Sequence, residues 1–398
     1  MKLVKVTHDP KAKCLDGSYP AFYIRKGYGS GSDKFILYLE GGGWCYWAEN
    51  FEKPDDPDYY GMNFCDFRAK TKLGGTGNDD QDMRVPNRGI LSGEKEENPE
   101  FYNWNLVWFR YCDGGSFSGT SENTYHTQEG KELFFRGWYV YKAIIYNLQT
   151  YHGLGSASRA VLTGTSAGGL ATILRCDDTA EMLSGAGTHV QCVSDTGFFV
   201  EALAVSGTNV IRAEYEALNG LHKPKPNLNC PVGEHVRPLT CWFPESASKF
   251  VRSPILLIQP SYDSWQMGHV FLPSGQDRLA SDHWKNCSEN LDYCTTTQMV
   301  TVNLYSWLLK HALGEFLSAS EHNHSVFVHS CFLHGQILWW PWSEVKLLEQ
   351  TYSIRDAVRD FVVGGKVVQH FDKSYGLNPS CDWFKLKKKK RRSVKELK

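Results

Sequence analysis

The chain has 398 residues, 41% of them hydrophobic, 14% aromatic and 22% charged, with a formal net charge of −1. That length suits two or three average domains or one large α/β domain with insertions, and no run approaches the ~18 apolar residues of a membrane span. Residues 385–398 carry seven Lys, two Arg and one Glu, a net of +8, so the rest is at −9, which argues against a nucleic-acid-binding body.

Cys14 to Ser18 forms a turn cluster, Ala21 to Lys26 reads as an early strand, and Gly29 to Ser32 as a turn. Phe35 to Leu39 is a buried strand that runs into Glu40-Gly41-Gly42-Gly43-Trp44-Cys45. Three glycines after a buried strand leave backbone N–H groups able to approach a ligand closely. The segment Asn50 to Gly77 is rich in Asp, Pro and Gly and reads as a long loop stapled by Cys45 and Cys65. Leu106 to Tyr111 is the next strand, and in the following loop Asp113 and Ser116 read as turn-capping residues. Phe134 to Leu148 has helical spacing.

Next, the apolar run Ala160 to Leu162 leads into Gly164-Thr165-Ser166-Ala167-Gly168, with a helical pattern from Leu170 to Arg175. Strand, G-x-S-x-G and helix in that order read as a nucleophile elbow. A strained turn there lifts the Ser166 hydroxyl above the sheet, and the Ala167 N–H faces the place where a carbonyl oxygen becomes an oxyanion. The triple glycine supplies the second donor, at Gly42 or Gly43. Val190 to Val193 is a strand ending at Ser194-Asp195, and residues 201–250 read as a mobile cap or insertion. Ile255 to Gln259 is a strand followed by Tyr262-Asp263-Ser264-Trp265. Cys287 and Cys294 bracket a short loop, and Thr296 to Phe316 is a long helix. Ser325 to Phe332 is the last strand, followed by Leu333-His334-Gly335, and Ser343 to Val363 holds one or two helices.

This alternation predicts an α/β-hydrolase-like doubly wound, mostly parallel sheet with loop insertions and disulfides. Sites in such sheets lie beyond the carboxyl ends of the strands. Ser166, Asp263 and His334 each follow a strand end, in the order Ser…Asp…His expected of that arrangement. Asp195 is the rival acid, read as a loop carboxylate. His329 is the rival base, read as a structural strand histidine. Trp44, Trp47 and Trp265 are candidates for lining a substrate cleft, although aromatics favour the core first.

Twelve cysteines, an even number with no C-x-x-C pair, predict a disulfide framework and an oxidising compartment, with no metal site. The sequons at Asn286 and Asn323 suit a secretory route. No apolar stretch of the secretory-leader type follows Met1 to Lys5, so a mature or trimmed form is expected. The run Lys387 to Arg392 reads as part of a solvated, disordered tail.

Several motifs together resemble the pectin acetylesterase family, which includes the Notum-type lipid carboxylesterases. They are Leu39-Glu40-Gly41-Gly42-Gly43-Trp44-Cys45, Glu97-Asn98-Pro99, Asn103-Trp104-Asn105, Arg110-Tyr111-Cys112-Asp113-Gly114, Ser166-Ala167-Gly168-Gly169, Tyr262-Asp263-Ser264-Trp265-Gln266 and Ser330-Cys331-Phe332-Leu333-His334. The resemblance runs from about Cys14 to Cys381 and leans to the plant-type members.

By motif position it implies Ser166 as nucleophile, Asp263 as acid and His334 as base. Gly42, Gly43 and Ala167 would form the oxyanion hole, with Trp44 and Trp265 near the substrate. It also implies Cys14–Cys112 and Cys331–Cys381 bridges, one domain over 14–381 and a separate basic tail over 385–398. Thr165 and Gly335 stand where plant-type members usually carry cysteines, and the region after Val368 has one cysteine, Cys381, where those members have more, consistent with one missing bridge. The implied activity is removal of O-acetyl groups from pectin or a related polysaccharide by a secreted, monomeric enzyme needing no cofactor or metal. The alternatives are a Notum-type lipid-protein esterase and a catalytically inactive carbohydrate-binding ectodomain.

Overall fold

The computed structural model describes residues 1–46, 63–123, 125–127, 129–231, 233, 239–271, 278–319, 324–347 and 349–382. Trp47, Asn323 and the basic tail at 385–398 lie outside the described residues.

Among the described residues nine strands form the main sheet: β1 (Lys2–Lys5), β2 (Ala21–Arg25), β3 (Lys34–Leu39), β4 (Asn105–Phe109), β5 (Arg159–Thr165), β6 (His189–Asp195), β7 (Ile255–Asp263), β8 (Ser325–Leu333) and β9 (Gln369–Phe371). Their order across the sheet is β1-β2-β4-β3-β5-β6-β7-β8-β9. The pairs β1–β2 and β2–β4 are antiparallel, and all other pairs are parallel. The main helices are α1 (Gly137–Tyr151), α2 (Ala167–Leu183), α3 (Val210–His222), α4 (Arg278–Glu289), α5 (Thr296–Ala319) and α6 (Ile354–Val362).

The central strands are apolar on both faces because helices cover both. In β3, Phe35, Leu37 and Leu39 join one core with residues of α1, α2 and α5, whereas Ile36 and Tyr38 join the opposite core with residues of α6. The same alternation splits Leu256 and Ile258 from Ile255 and Leu257 in β7. This is the period of two that a pleated strand imposes, and the two-faced covering is that of a parallel α/β sheet.

Six disulfides join Cys14–Cys112, Cys45–Cys65, Cys176–Cys192, Cys230–Cys241, Cys287–Cys294 and Cys331–Cys381. Both bridges implied by the resemblance are present, as is the Cys45–Cys65 staple. Of the two readings of residues 201–250, a mobile cap or an insertion, the part that carries α3 is a packed insertion: Ile211, Tyr215 and Leu218 belong to the main core. Several elements depart from the sequence reading: among them, Lys2–Lys5 is an edge strand, Gln369–Phe371 closes the other edge, Arg278–Glu289 is helical, and Cys65–Arg68 inside the expected long loop is a short helix.

Candidate active site

The carboxyl ends of β5, β6, β7 and β8 carry the polar groups of the site. Register places Thr165 beside Asp195 and Asp263 beside Leu333, so Ser166, Asp263 and His334 converge at one end of the sheet. Ser166 turns the chain from β5 into α2 with φ 62° and ψ −124°. A non-glycine residue rarely adopts a positive φ, and here close packing holds it. A Cβ on Gly41 would lie 2.2 Å from the Thr165 carbonyl oxygen, and one on Gly168 would lie 2.1 Å from that of Leu39. Only bare backbone lets the end of β3 approach the elbow this closely.

His334 Nε2 lies 2.8 Å from Ser166 Oγ. Its Nδ1 lies 2.9 and 3.0 Å from the two oxygens of Asp263. That carboxylate is fully buried and also accepts the N–H groups of Trp265 and Gln266, each at 3.0 Å, and Gln259 Nε2 at 3.2 Å. A carboxylate is an acceptor only, so Nδ1 carries the proton and Nε2 is left to accept from the serine. Burial alone would lower the His334 pKa, but the charge and hydrogen bond of Asp263, aided by Asp195, hold it above its ordinary value.

The two rivals occupy other roles. Asp195 Oδ2 accepts Thr165 Oγ1 at 2.8 Å and the N–H groups of Gln336 and Ile337 at 2.9 and 3.2 Å. It ties the elbow to the loop after His334. Burial pushes its pKa up to about 6. His329 is buried, accepts the Cys331 N–H at 3.2 Å and donates to Gln336 Oε1 at 2.7 Å. Burial drops its pKa to about 4, so it is a neutral structural ring.

The glycine loop lies against the elbow, as the Gly41 contact shows. Among the described residues, the N–H groups of Gly42, Gly43, Trp44 and Ala167 enter no hydrogen bond, whereas that of Cys45 donates to the Gly114 carbonyl at 3.0 Å. Gly43 has φ 63°, a conformation glycine adopts without penalty.

Trp44 is only 2% exposed. Its ring meets Phe199 at 4.9 Å, Tyr215 at 5.5 Å and Trp265 at 5.6 Å, all edge-on. This packing leaves no open face for stacking a sugar, contrary to the expectation for Trp44. Trp265 is half-buried, stacks on His269 at 4.8 Å and lies 6.1 Å from His334. Sequence reasoning missed His269, although its i+4 spacing from Trp265 on a helical turn was the available signal.

The family model described as Pectinacetylesterase matches residues 1–382. The chain belongs to the pectinacetylesterase family. Pectin acetylesterase 5 of Arabidopsis thaliana is 35% identical over 385 residues, which is 96% of this chain and 84% of that protein. Pectin acetylesterase 4 of the same plant is 35% identical over 386 residues, 95% of this chain and 88% of its own length. The palmitoleoyl-protein carboxylesterase NOTUM of Homo sapiens is more distant, at 28% over 268 residues, 64% of this chain and 49% of that protein. Membership in this family makes the chain a carboxylic ester hydrolase.

Proposed function

We propose that this family member is a serine esterase that removes O-acetyl groups from pectin or a related acetylated polysaccharide, acting outside the cell as a monomer. The observation that carries the mechanism is the unbroken relay Ser166–His334–Asp263, with spacings of 2.8 and 2.9 Å. The six disulfides support the oxidising compartment. Among the described residues no helix is long and apolar enough to cross a membrane.

His334, neutral at Nε2, takes the Ser166 proton as Oγ attacks the ester carbonyl carbon. Asp263 holds the ring in this tautomer and stabilises the imidazolium. The N–H groups of Ala167 and of Gly42 or Gly43 stabilise the oxyanion, each worth about 3 kcal/mol. The sugar alkoxide leaves with the proton from His334. Water, activated by the same ring, then releases acetate from Ser166.

Trp44 and Phe199 pack edge-on against Trp265, whose ring lies 6.1 Å from His334, so aromatic rings border the site and acyl-chain preference is left to experiment. The test compares p-nitrophenyl acetate, p-nitrophenyl octanoate and acetylated pectin, for wild type and Ser166→Ala. Acetate release that vanishes in the variant supports the reading. A preference for octanoate turns it toward a lipid esterase, and equal rates for both proteins refute it.

A further inference from the structure

The loop between β4 and α1 holds a hydrogen-bond circuit with no role in the relay just described. Ser116 and Phe117 are fully buried non-glycine residues with φ 51° and 53°. Backbone strain of this kind persists only where surrounding contacts hold it. The Ser116 Oγ makes two such contacts. It accepts Trp44 Nε1–H at 2.7 Å and donates to the Ala167 carbonyl at 2.7 Å. The Ser116 N–H donates to Tyr111 Oη at 3.1 Å, and that hydroxyl donates to the Gly43 carbonyl at 2.7 Å. Arg68, fully buried, donates from Nη2 to the Gly42 carbonyl at 2.8 Å and to that of Gly43 at 3.4 Å. The Cys45–Cys65 bridge brings the short helix Cys65–Arg68 to this place.

The direction of these bonds matters. In a trans peptide the C=O and the following N–H point to opposite sides of the chain. Holding the Gly42 carbonyl toward Arg68 turns the Gly43 N–H away from Arg68. Holding the Gly43 carbonyl toward Tyr111 turns the Trp44 N–H away likewise. Among the described residues both of those N–H groups enter no hydrogen bond, on a loop that packs against Ser166. On the other side, Ser116 fixes the peptide that follows the Ala167 N–H. One small loop thus grips both halves of the oxyanion-binding region.

We propose that Tyr111, Ser116 and Arg68 are positioning residues that preset the oxyanion hole, with the Ser116 hydroxyl setting the spacing between the glycine loop and the start of α2. This rests on the assignment of Ser166 as nucleophile. Preorganised donors help the transition state more than the ground state, so the brace belongs to kcat rather than KM.

The test uses the full chain as Tyr111→Phe, Ser116→Ala and Ser116→Gly. Each is measured with p-nitrophenyl acetate, with rates expressed per titrated active site. Binding of an alkyl trifluoromethyl ketone is measured in parallel. Ser166 Oγ adds to the ketone carbon, the hydroxyl proton passes to His334 Nε2, and the carbonyl oxygen becomes an oxyanion with no leaving group. The expected result is a fall in kcat per site of about tenfold or more, KM within about twofold, and a matching rise in the ketone inhibition constant. Ser116→Gly removes the hydroxyl while relieving the positive φ, and a thermal melt of each variant beside the per-site rates separates positioning from folding. Wild-type kcat per site and ketone affinity in Tyr111→Phe and Ser116→Gly would overturn the brace while leaving the nucleophile intact. Wild-type turnover in Ser166→Ala would overturn both.

Discussion

Thr165 donates its hydroxyl to Asp195 at 2.8 Å, and the same carboxylate oxygen accepts two backbone N–H groups from the loop that follows His334. One buried side chain therefore joins the residue before Ser166 to the segment after His334. Its second oxygen is buried with no partner among the described residues. Asn at this position keeps the accepting oxygen and removes the charge. The Asp195 charge is one of the influences raising His334, so Asp195→Asn moves the acid limb of the kcat/KM profile to lower pH. The plateau rate stays within an order of magnitude because the joint survives. A limb that stays in place would show that Asp195 does not act on His334 electrostatically.

The wild-type profile follows from the same sign. Under the proposed mechanism His334 acts as base only when neutral, and its pKa is raised above 6.5. Activity is therefore lost as pH falls through that raised value, and kcat/KM climbs through the neutral range. Asp263→Asn removes the largest favourable influence and lets Nε2 hold the proton instead. The expected loss in kcat is about 10⁴-fold. Steady-state rates from pH 5 to 9 test this. A variant retaining more than a tenth of wild-type kcat would reject Asp263 as the orienting acid.

Much of this site was legible in sequence because its parts lie at the ends of buried apolar runs. Phe35 to Leu39, Ala160 to Leu162, Ile255 to Gln259 and Ser325 to Phe332 are all strands, and the chemistry follows each one. The edges were not legible. Lys2–Lys5 is only four residues, Lys-Leu-Val-Lys, with no alternation to mark a strand, and its lysines suit an exposed edge. Arg278–Glu289 is too polar for its helix to show against the Cys287–Cys294 loop. Ser116 was invisible for a different reason: its partners Trp44 and Ala167 lie 72 and 51 residues away. Nothing local separates such a serine from a turn cap.

Thr165 and Gly335 also face each other. A Cβ on Gly335 would stand 3.0 Å from Thr165 Cγ2. The two positions where the resemblance implies a lost bridge are thus neighbours beside the triad. Thr165→Cys with Gly335→Cys is expected to close a seventh disulfide. The φ of 81° at Gly335 disfavours a side chain by about 1–2 kcal/mol, and the cross-link offsets this with about 2–4 kcal/mol. A net gain of about 1 kcal/mol raises Tm by roughly 1–3 °C. Non-reducing peptide mapping should find the 165–335 cross-link, and two free thiols in the folded double variant would show that the positions cannot be joined.

Glu214 on α3 offers a separate test of stability. It is buried and accepts Tyr46 Oη at 2.9 Å, and burial pushes its pKa up to about 7. A raised carboxyl pKa means the folded state prefers the proton. The stabilising contribution is full below the unfolded value near 4.5 and is lost as pH rises through about 7. The loss is at most about 3 kcal/mol. Glu214→Gln mimics the protonated carboxyl and keeps the hydrogen bond to Tyr46. It should match wild type in Tm near pH 4.5 and exceed it at pH 8. Asp113 and Asp195, both raised to about 6 by burial, titrate in the same window in both proteins, so the difference between the two Tm curves isolates Glu214. Parallel curves across this range would mean that Glu214 is already ionised in the folded protein at low pH.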